Sequence, residues 1–245
     1  MHKYGLAFIG DKSLFLHVKE TVEKYRFQID LAKFNHNLID PIKLTFDSKV
    51  YKKSLEETIE SEIIRQIDKS NTNHIGYFHQ NIFKYFNENW YVPAQGFDII
   101  NDEQKVYVEM KNKHNTMNSA SAQKTYIKMQ NEILHGADIT CMLVEVIAKK
   151  SQDVPWKISI DGIAYEHDNI RRVSIDKFYE MVTGEEDAFK QLCDVLPKVL
   201  DDVIGTLTVE LMENSVVEEL TLVSDDILKS LYLLAFGKYE GFTTQ

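Results

Sequence analysis

A short stretch in the middle of the chain alternates between apolar and charged residues. Val106, Val108 and Met110 take the apolar positions, and Glu109 and Lys111 lie between and after them. An alternation with a period of two predicts a β-strand whose successive side chains point to opposite faces of a sheet. One face of this strand is therefore expected to contact the core, while the other carries a carboxylate and an amine.

The segments around this strand predict a mixed sheet. Residues 90–100 and 105–111 have strand patterns, residues 119–135 have a helical one, and the nearly continuous apolar run 139–148 suits a buried central strand despite Glu145. The order strand, strand, helix, strand places a helix across the sheet. Two shorter strands are predicted further along the chain, at 156–160 and 172–175.

Two helices are predicted before the sheet. Ser54 and Glu57 form a capping box, in which each side chain binds a free amide of the other residue at a helix start. The first helix is expected to end near Lys69, because 71–73 (Asn-Thr-Asn) is typical of a turn. The second helix is expected over 75–86.

The whole pattern predicts an α/β (α+β) protein with a mixed central sheet flanked by helices. Residues 1–50 mix helix and strand signals, and the chain beyond the sheet is mainly helical. Since no repeat or flexible linker is visible, we expect one domain spanning 1–245. Within it, a core that contains the sheet is expected at about 54–175 and an acidic, mainly helical part at about 176–245.

Composition excludes several classes of protein. Hydrophobic residues make up 44% and charged residues 27% of the 245-residue chain, as in ordinary folded proteins. The apolar runs are too short to span a bilayer and no signal peptide is visible, so we expect a cytoplasmic protein without membrane contact. The two cysteines, Cys141 and Cys193, could form one disulfide, but we expect two buried free thiols.

The negative charge is concentrated in one segment. Residues 185–226 contain twelve acidic residues and two lysines, which accounts for the net charge of −10 of the whole chain. Residues 111–128 contain four lysines and no acid. This lysine strip follows the charged strand directly and can contact an anionic partner or form a solvated helix face.

Three residues have the chemistry for metal-dependent phosphodiester hydrolysis. Asp98 precedes Glu109 by eleven residues on the neighbouring predicted strand, and Lys111 follows on the same face as Glu109. Carboxylates are suitable ligands for Mg²⁺, and the carbonyl oxygen of Met110 can add a third. Lys111 would then orient a metal-activated water or stabilise the transition state.

The spacing alone does not establish a site. An acid, one residue and a lysine also occur at 47–49 and 103–105. A surface strand whose Glu109 and Lys111 merely pair in solvent would give the same pattern. The copy at Glu109 differs in having an apolar opposite face, which holds its charges against a core.

At these residues the chain resembles the PD-(D/E)xK nuclease superfamily, with Phe97 in place of the proline. It further resembles the type II restriction endonucleases of that superfamily that cut the palindrome GGNCC. The segments that carry the resemblance are 75–83, 96–98, 108–116, 121–126 and 144–148.

The resemblance implies a restriction-endonuclease-like core and a homodimeric, Mg²⁺-dependent endonuclease that cuts double-stranded DNA. Asp98, Glu109 and Lys111 fall on the catalytic positions of the superfamily. Many members also have a glutamate on a helix before the sheet, and here Gln80, four residues after Gly76, takes that place. Gln80 is therefore a further candidate catalytic residue.

DNA contacts are expected mainly from the lysine strip. Side chains that contact phosphates fix the register of the protein on DNA, and an arginine can read guanine in the major groove. The arginine doublet near a predicted strand is the candidate base reader, and a surface pair that bridges to acids would give the same sequence. The candidate DNA-binding residues are Lys113, His114, Asn115, Asn118, Lys124, Lys128, Arg171 and Arg172.

Two other functions are compatible with the sequence. A repair or junction-resolving nuclease could use the same fold and site. A non-catalytic interaction module that retained the fold would use its acidic C-terminal part to bind a protein. In the restriction enzyme, this part is a candidate dimer surface, with an apolar side formed by Leu228, Leu231, Tyr232 and Leu234.

Overall fold

The computed structural model describes residues 3–26, 28–114, 116–136, 138–207 and 213–236 of the 245. All helices and strands named in the following paragraphs belong to these ranges. Asn115, one of the predicted DNA-binding residues, lies outside them. None of the helices in these ranges has both the length and the apolar character needed to cross a membrane.

Helices and strands are distributed along the described ranges as follows. The α-helices are α1 (Asp11–Val22), α2 (Leu31–His36), α3 (Pro41–Tyr51), α4 (Leu55–Asn81), α5 (Ser119–Ile133), α6 (Ile175–Thr183), α7 (Ala188–Ile204), α8 (Val216–Val223) and α9 (Ile227–Phe236), and a 3-10 helix covers Ile82–Tyr85. The strands are β1 (Gln28–Ile29), β2 (Ile99–Asn101), β3 (Val106–Lys113), β4 (Thr140–Ile147), β5 (Asp153–Pro155), β6 (Ile158–Ile160), β7 (Ile163–Tyr165), β8 (Ile170–Ser174) and β9 (Glu213–Asn214).

The central element is a five-stranded mixed sheet in the order β2-β3-β4-β8-β5. Strands β3, β4 and β8 are parallel, whereas β2 and β5 pair antiparallel at the two edges. Strand β4 lies in the middle and is mostly buried, as its apolar run predicts. The predicted α/β fold, a mixed sheet with flanking helices in a restriction-endonuclease-like core, is confirmed.

Contacts divide the described residues into two compact units. The first unit lies within Met1–Glu23 and Ile75–Leu207 and contains the five-stranded sheet. The second lies within Lys24–His74 and Thr208–Gln245. Helices α6 and α7, which the sequence suggested for a C-terminal part, therefore belong to the unit with the sheet. The single domain over 1–245 stays a prediction.

The first unit has an apolar cluster on each face of the sheet. Val108 and Met110 of β3 pack in one cluster with Phe178 of α6. Tyr126 and Met129 of α5 pack in the other, which also contains residues of β4 and β8. The predicted alternation of β3 is thus confirmed, and α5 covers the face that carries Glu109.

The second unit has its own apolar cluster around α4. Ile59 and Ile63 of that helix are almost fully buried and pack with Phe34 of α2 and Leu231 of α9. The predicted apolar dimer side in the C-terminal part is therefore partly wrong, because Leu231 is fully buried within the unit and Leu234 packs against the same cluster. An apolar stripe at helical spacing here serves the core of its own chain.

Helix α4 begins as predicted but is longer. Glu57 donates its backbone N–H to Ser54 Oγ at 3.1 Å, and the Ser54 N–H binds the Glu57 carboxylate at 2.8 Å, which confirms the capping box. The predicted turn at 71–73 is wrong, because α4 continues through it to Asn81. Asn and Thr disfavour a helix by less than about 1 kcal/mol each, and Asn71 finds a partner for its side chain in the Arg26 N–H at 3.0 Å.

A buried polar cluster joins the ends of three strands. Glu145 of β4 has no exposed surface. One of its carboxylate oxygens lies 2.9 Å from His114 Nδ1, and the other accepts a hydrogen bond from the Arg172 guanidinium of β8. Arg172 also donates to the His114 carbonyl at 3.3 Å. The carboxylate that interrupts the apolar run of β4 is therefore fully paired.

We expect Glu145→Ala to destabilise the protein by about 3 kcal/mol, because removal of one partner leaves the other charge of a buried pair uncompensated. Urea unfolding followed by circular dichroism measures this loss. Glu166→Ala is the matched control, since the Glu166–Lys157 pair is exposed and should change stability by less than about 0.5 kcal/mol. Equal effects of the two substitutions would contradict the assigned role of Glu145.

The two cysteines differ in exposure. Both are free, but only Cys141 of β4 is buried, whereas Cys193 of α7 is exposed. The prediction of two buried thiols is wrong for Cys193, because it lies beside buried Leu192 on the solvent side of α7. Burial raises the pKa of the Cys141 thiol to about 12, which keeps it protonated.

Thiol labelling should therefore detect one reactive cysteine per native chain at about pH 8. The thiolate is the reactive species, and Cys141 is both inaccessible and protonated. An aromatic disulfide reagent that releases a coloured product gives the number, and denatured protein should give both thiols. Cys193→Ser should abolish the native reaction, and persistent labelling in that variant would show that β4 is accessible.

Candidate active site

Pairing between β2 and β3 fixes the position of Asp98. The strands are antiparallel, with Ile99 opposite Val108. One residue before β2, the Asp98 N–H donates to the Val108 carbonyl at 2.9 Å. The Asp98 carboxylate oxygen Oδ2 accepts a hydrogen bond from the Met110 N–H at 2.8 Å. Backbone contacts of β3 therefore hold both ends of this residue beside the strand that carries Glu109 and Lys111.

The carboxylates of Asp98 and Glu109 and the Met110 carbonyl all face the ammonium group of Lys111. Lys111 Nζ lies 3.2 Å from Glu109 Oε2 and 3.7 Å from Asp98 Oδ2. It also donates to the Met110 carbonyl oxygen at 3.1 Å. One cationic group thus contacts all three oxygens that the sequence assigned to a metal. The structure brings these predicted site residues together.

Asp98 and Glu109 are carboxylates in a largely desolvated place. Only 27% of the Asp98 side chain and 12% of the Glu109 side chain are exposed. Burial raises the pKa of the Asp98 carboxyl above its ordinary value, and nearby Glu109 raises it further, while the Met110 N–H and the lysines act in the opposite direction. Keeping the partly buried Asp98 carboxylate ionised therefore costs free energy, and a bound cation would reduce that cost.

A second lysine belongs to the site. Lys128 of α5 is ion-paired with Glu109 Oε1, the carboxylate oxygen that Lys111 leaves free. Its ammonium also donates to the Gly96 carbonyl at 2.8 Å and lies 4.0 Å from the centre of the Phe97 ring. The sequence placed Lys128 in the lysine strip and missed this contact. The sequence feature that could have indicated this contact is the position of Lys128 on α5, directly before the buried Met129.

Phe97, the residue that differs from proline in the predicted PD-(D/E)xK resemblance, has a structural role of its own. Its side chain is 6% exposed, and its ring centre lies 5.4 Å from that of Tyr107 on β3. The ring also supports the Lys128 ammonium through a cation–π contact. Phe97 therefore supplies an aromatic surface in the residue directly before Asp98.

The donor set suits a hard divalent cation. Oxygen ligands are those that Mg²⁺ prefers, and this ion commonly keeps several waters while one or two protein carboxylates bind it. Asp98, Glu109 and the Met110 carbonyl offer that kind of incomplete shell. No group of three or more His, Cys, Asp or Glu side chains able to hold a metal occurs in the described part of the chain, so a cation here would depend on waters for the rest of its shell.

Gln80 lies on α4. It is half-buried, and in the described ranges no hydrogen bond joins it to Asp98, Glu109 or Lys111. The helix itself comes close to the end of β3, since a Cβ atom at Gly76 would lie 3.5 Å from the Asn112 side chain. The fold thus brings the helix of Gln80 near β3, and a catalytic role for Gln80 stays a prediction.

Three other predicted DNA-binding residues, Lys113, Asn118 and Lys124, are exposed. Lys113 is exposed at the end of β3, and Lys124 is exposed on α5. Asn118 is the N-cap of α5 and accepts a hydrogen bond from the Ser121 N–H at 2.8 Å. The side chain of Asn118 therefore has a structural task that the sequence did not identify, while both lysines present their charge to solvent.

Both arginines of the predicted base-reading doublet bind groups within the chain. Arg171 pairs with the carboxylate of Asp153 on the neighbouring strand and donates to its carbonyl at 2.9 Å. Arg172 and His114 belong to the buried cluster around Glu145. For either arginine to contact a base, it would have to exchange an existing partner for the DNA.

A cavity of about 580 Å³ opens beside the buried cluster. Its lining is rich in cationic and polar groups, and the indole of Trp156 adds an apolar surface. In the register of β3 and β4, Glu145 lies opposite Lys111. The central carboxylate of the cluster is therefore on β4, the strand next to the one that carries Glu109 and Lys111. The polar residues of the lining are His114, Asn118, Ser119, Lys149, Lys157, Ser159 and Arg172.

Comparison with known proteins agrees with the geometry of this site. The family model for the Eco47II restriction endonuclease matches residues 6–205. The chain is 34% identical to the type II restriction enzyme Sau96I of Staphylococcus aureus over 217 residues, which cover 84% of this chain and 83% of that enzyme. It is 31% identical to the type II restriction enzyme Eco47II of Escherichia coli over 214 residues, which cover 82% and 88% respectively.

The match includes β2, β3 and α5, and the predicted resemblance to type II restriction endonucleases is confirmed. From its sequence, its mixed sheet and these relatives, the chain belongs to the Eco47II restriction endonuclease family.

Proposed function

We propose that this protein is a Mg²⁺-dependent type II restriction endonuclease that cuts double-stranded DNA at the palindrome GGNCC. The observation that carries the proposal is the convergence of Asp98, Glu109 and the Met110 carbonyl on a single ammonium group. Oxygens that surround one cation can surround another. The family match supports site-specific cleavage of DNA, and the motif resemblance supports the sequence GGNCC.

The chain's own residues would divide the work as follows. Asp98, Glu109 and the Met110 carbonyl would hold the cation, which when bound lowers the pKa of a water and offsets charge on the phosphate. Asp98 is oriented by the Met110 N–H, so its carboxylate is positioned before any ligand arrives. Lys111 would yield its place among these oxygens and bind the attacking water or a phosphate oxygen.

DNA binding would use the cations around the site. Exposed Lys113 and Lys124 would contact phosphates, together with Asn115, and Asn118 would contribute from the start of α5. Base reading is assigned to the cationic cavity, whose lining includes His114 and Arg172. Arg171, the other arginine of the doublet, lies outside this lining.

A palindromic site calls for a two-fold symmetric dimer in which each subunit cuts one strand. We therefore propose a homodimer that acts on DNA in the cytoplasm, as part of a restriction–modification system. The family match favours this function over a repair nuclease or a non-catalytic module, because both relatives are named as type II restriction enzymes.

Digestion of a DNA of known sequence tests the specificity. With Mg²⁺ the purified protein should produce discrete fragments whose ends all map to GGNCC, because a palindromic site read by a symmetric dimer gives the same cut each time. Glu109→Gln protein is the control and should leave the DNA intact. Fragment ends at unrelated sequences would contradict the proposed specificity, and a continuous smear would contradict site-specific cleavage.

Lys111→Ala should lower the rate of cleavage at least about 100-fold, since it removes a group that stabilises charge in the transition state. DNA binding measured with Ca²⁺ should change little, because phosphate contacts are spread over other lysines. The chain offers a matched control in Lys49→Ala, which removes the exposed lysine of the acid-x-lysine motif at 47–49. Full activity of Lys111→Ala would contradict the proposed role of Lys111 and of this site in cleavage.

A further inference from the structure

We propose that Lys128 is a positioning residue that competes with the divalent cation for Glu109 and so keeps cation affinity low in the enzyme without DNA. The inference rests on the proposed metal-dependent function. Its starting observation is that the two carboxylate oxygens of Glu109 each face a different ammonium group, Oε2 facing Lys111 and Oε1 facing Lys128.

The Lys128 ammonium occupies a built position rather than a solvated one. It contacts three different groups, namely the Glu109 carboxylate, the Gly96 carbonyl and the Phe97 ring. Its side chain is 34% exposed, and it extends from α5, whose Tyr126 and Met129 are fully buried. A fixed helix and three contacts hold the positive charge next to a proposed metal ligand.

The charges of the site balance without a metal. Asp98 and Glu109 contribute two negative charges, and Lys111 and Lys128 contribute two positive ones. A divalent cation therefore enters a site whose formal charge is already balanced, so its attraction by the carboxylates is opposed by two ammonium groups. Lys111 can leave the three oxygens that it shares, but Lys128 has separate contacts on the far side of Glu109 and would continue to repel the cation.

Two effects of Lys128 on the cation oppose each other. By holding Oε1, Lys128 directs Oε2 towards the other ligands, which favours binding. By placing a charge next to the ligand, it disfavours binding. The free energy gained by ordering the Glu109 side chain is smaller than the repulsion from a full charge at contact distance in a partly desolvated site. We therefore expect the repulsion to dominate.

Replacement of Lys128 by Met tests the inference, because Met keeps most of the side-chain length and removes the charge. Calorimetric titration of DNA-free protein with Mn²⁺ should show tighter binding by about tenfold, within the range of coupling between contacting residues. Lys128→Arg keeps the charge and should bind Mn²⁺ like the unmodified protein. The gain should disappear when Glu109→Gln is added to Lys128→Met.

Lys190→Met is the matched control, since Lys190 is ion-paired with Asp194 four residues away on α7 and is largely exposed. It should leave Mn²⁺ affinity unchanged, and melting temperatures report whether each variant is folded. Weaker or unchanged Mn²⁺ binding in folded Lys128→Met would overturn the role of Lys128 alone. Absence of Mn²⁺ binding in every variant would instead contradict the proposed metal-dependent function.

Discussion

The antiparallel pairing of β2 with β3 is the constraint on which the site depends. It places Asp98 next to Glu109 through the Val108 carbonyl and the Met110 N–H, both of them backbone groups. Because these are main-chain contacts, the position of the carboxylate depends on the register of the strands. A shift by one residue would turn Glu109 and Lys111 into the apolar core. Core packing and site geometry are therefore specified together.

The sequence predicted the parts of the molecule that depend on local pattern. The two-residue alternation of β3 predicted that Glu109 and Lys111 share a face, and the apolar run around Glu145 predicted a central buried strand. The capping box at Ser54 predicted the start of α4. In each case the physical cause acts within a few residues, or through burial of one whole face, so the pattern itself contains the information.

Features that depend on distant partners were not predictable. Lys128 is nineteen residues from Glu109, and only the packing of α5 across the sheet brings the two together. The polar segment 71–73 has a turn signal, but its place inside α4 overrides the weak local preference. The arginine doublet was a candidate base reader or a pair bridging to acids, and the sequence does not show that Glu145 is the partner of Arg172.

Anomalous diffraction from crystals of the protein soaked in Mn²⁺ tests the central claim most directly, because Mn²⁺ replaces Mg²⁺ at oxygen sites and can be located without prior assumptions. We predict one strong peak coordinated by Asp98 and Glu109 together, with the Lys111 ammonium displaced from its position between their oxygens. A peak bound by only one of these carboxylates, or located elsewhere on the protein, would contradict the account.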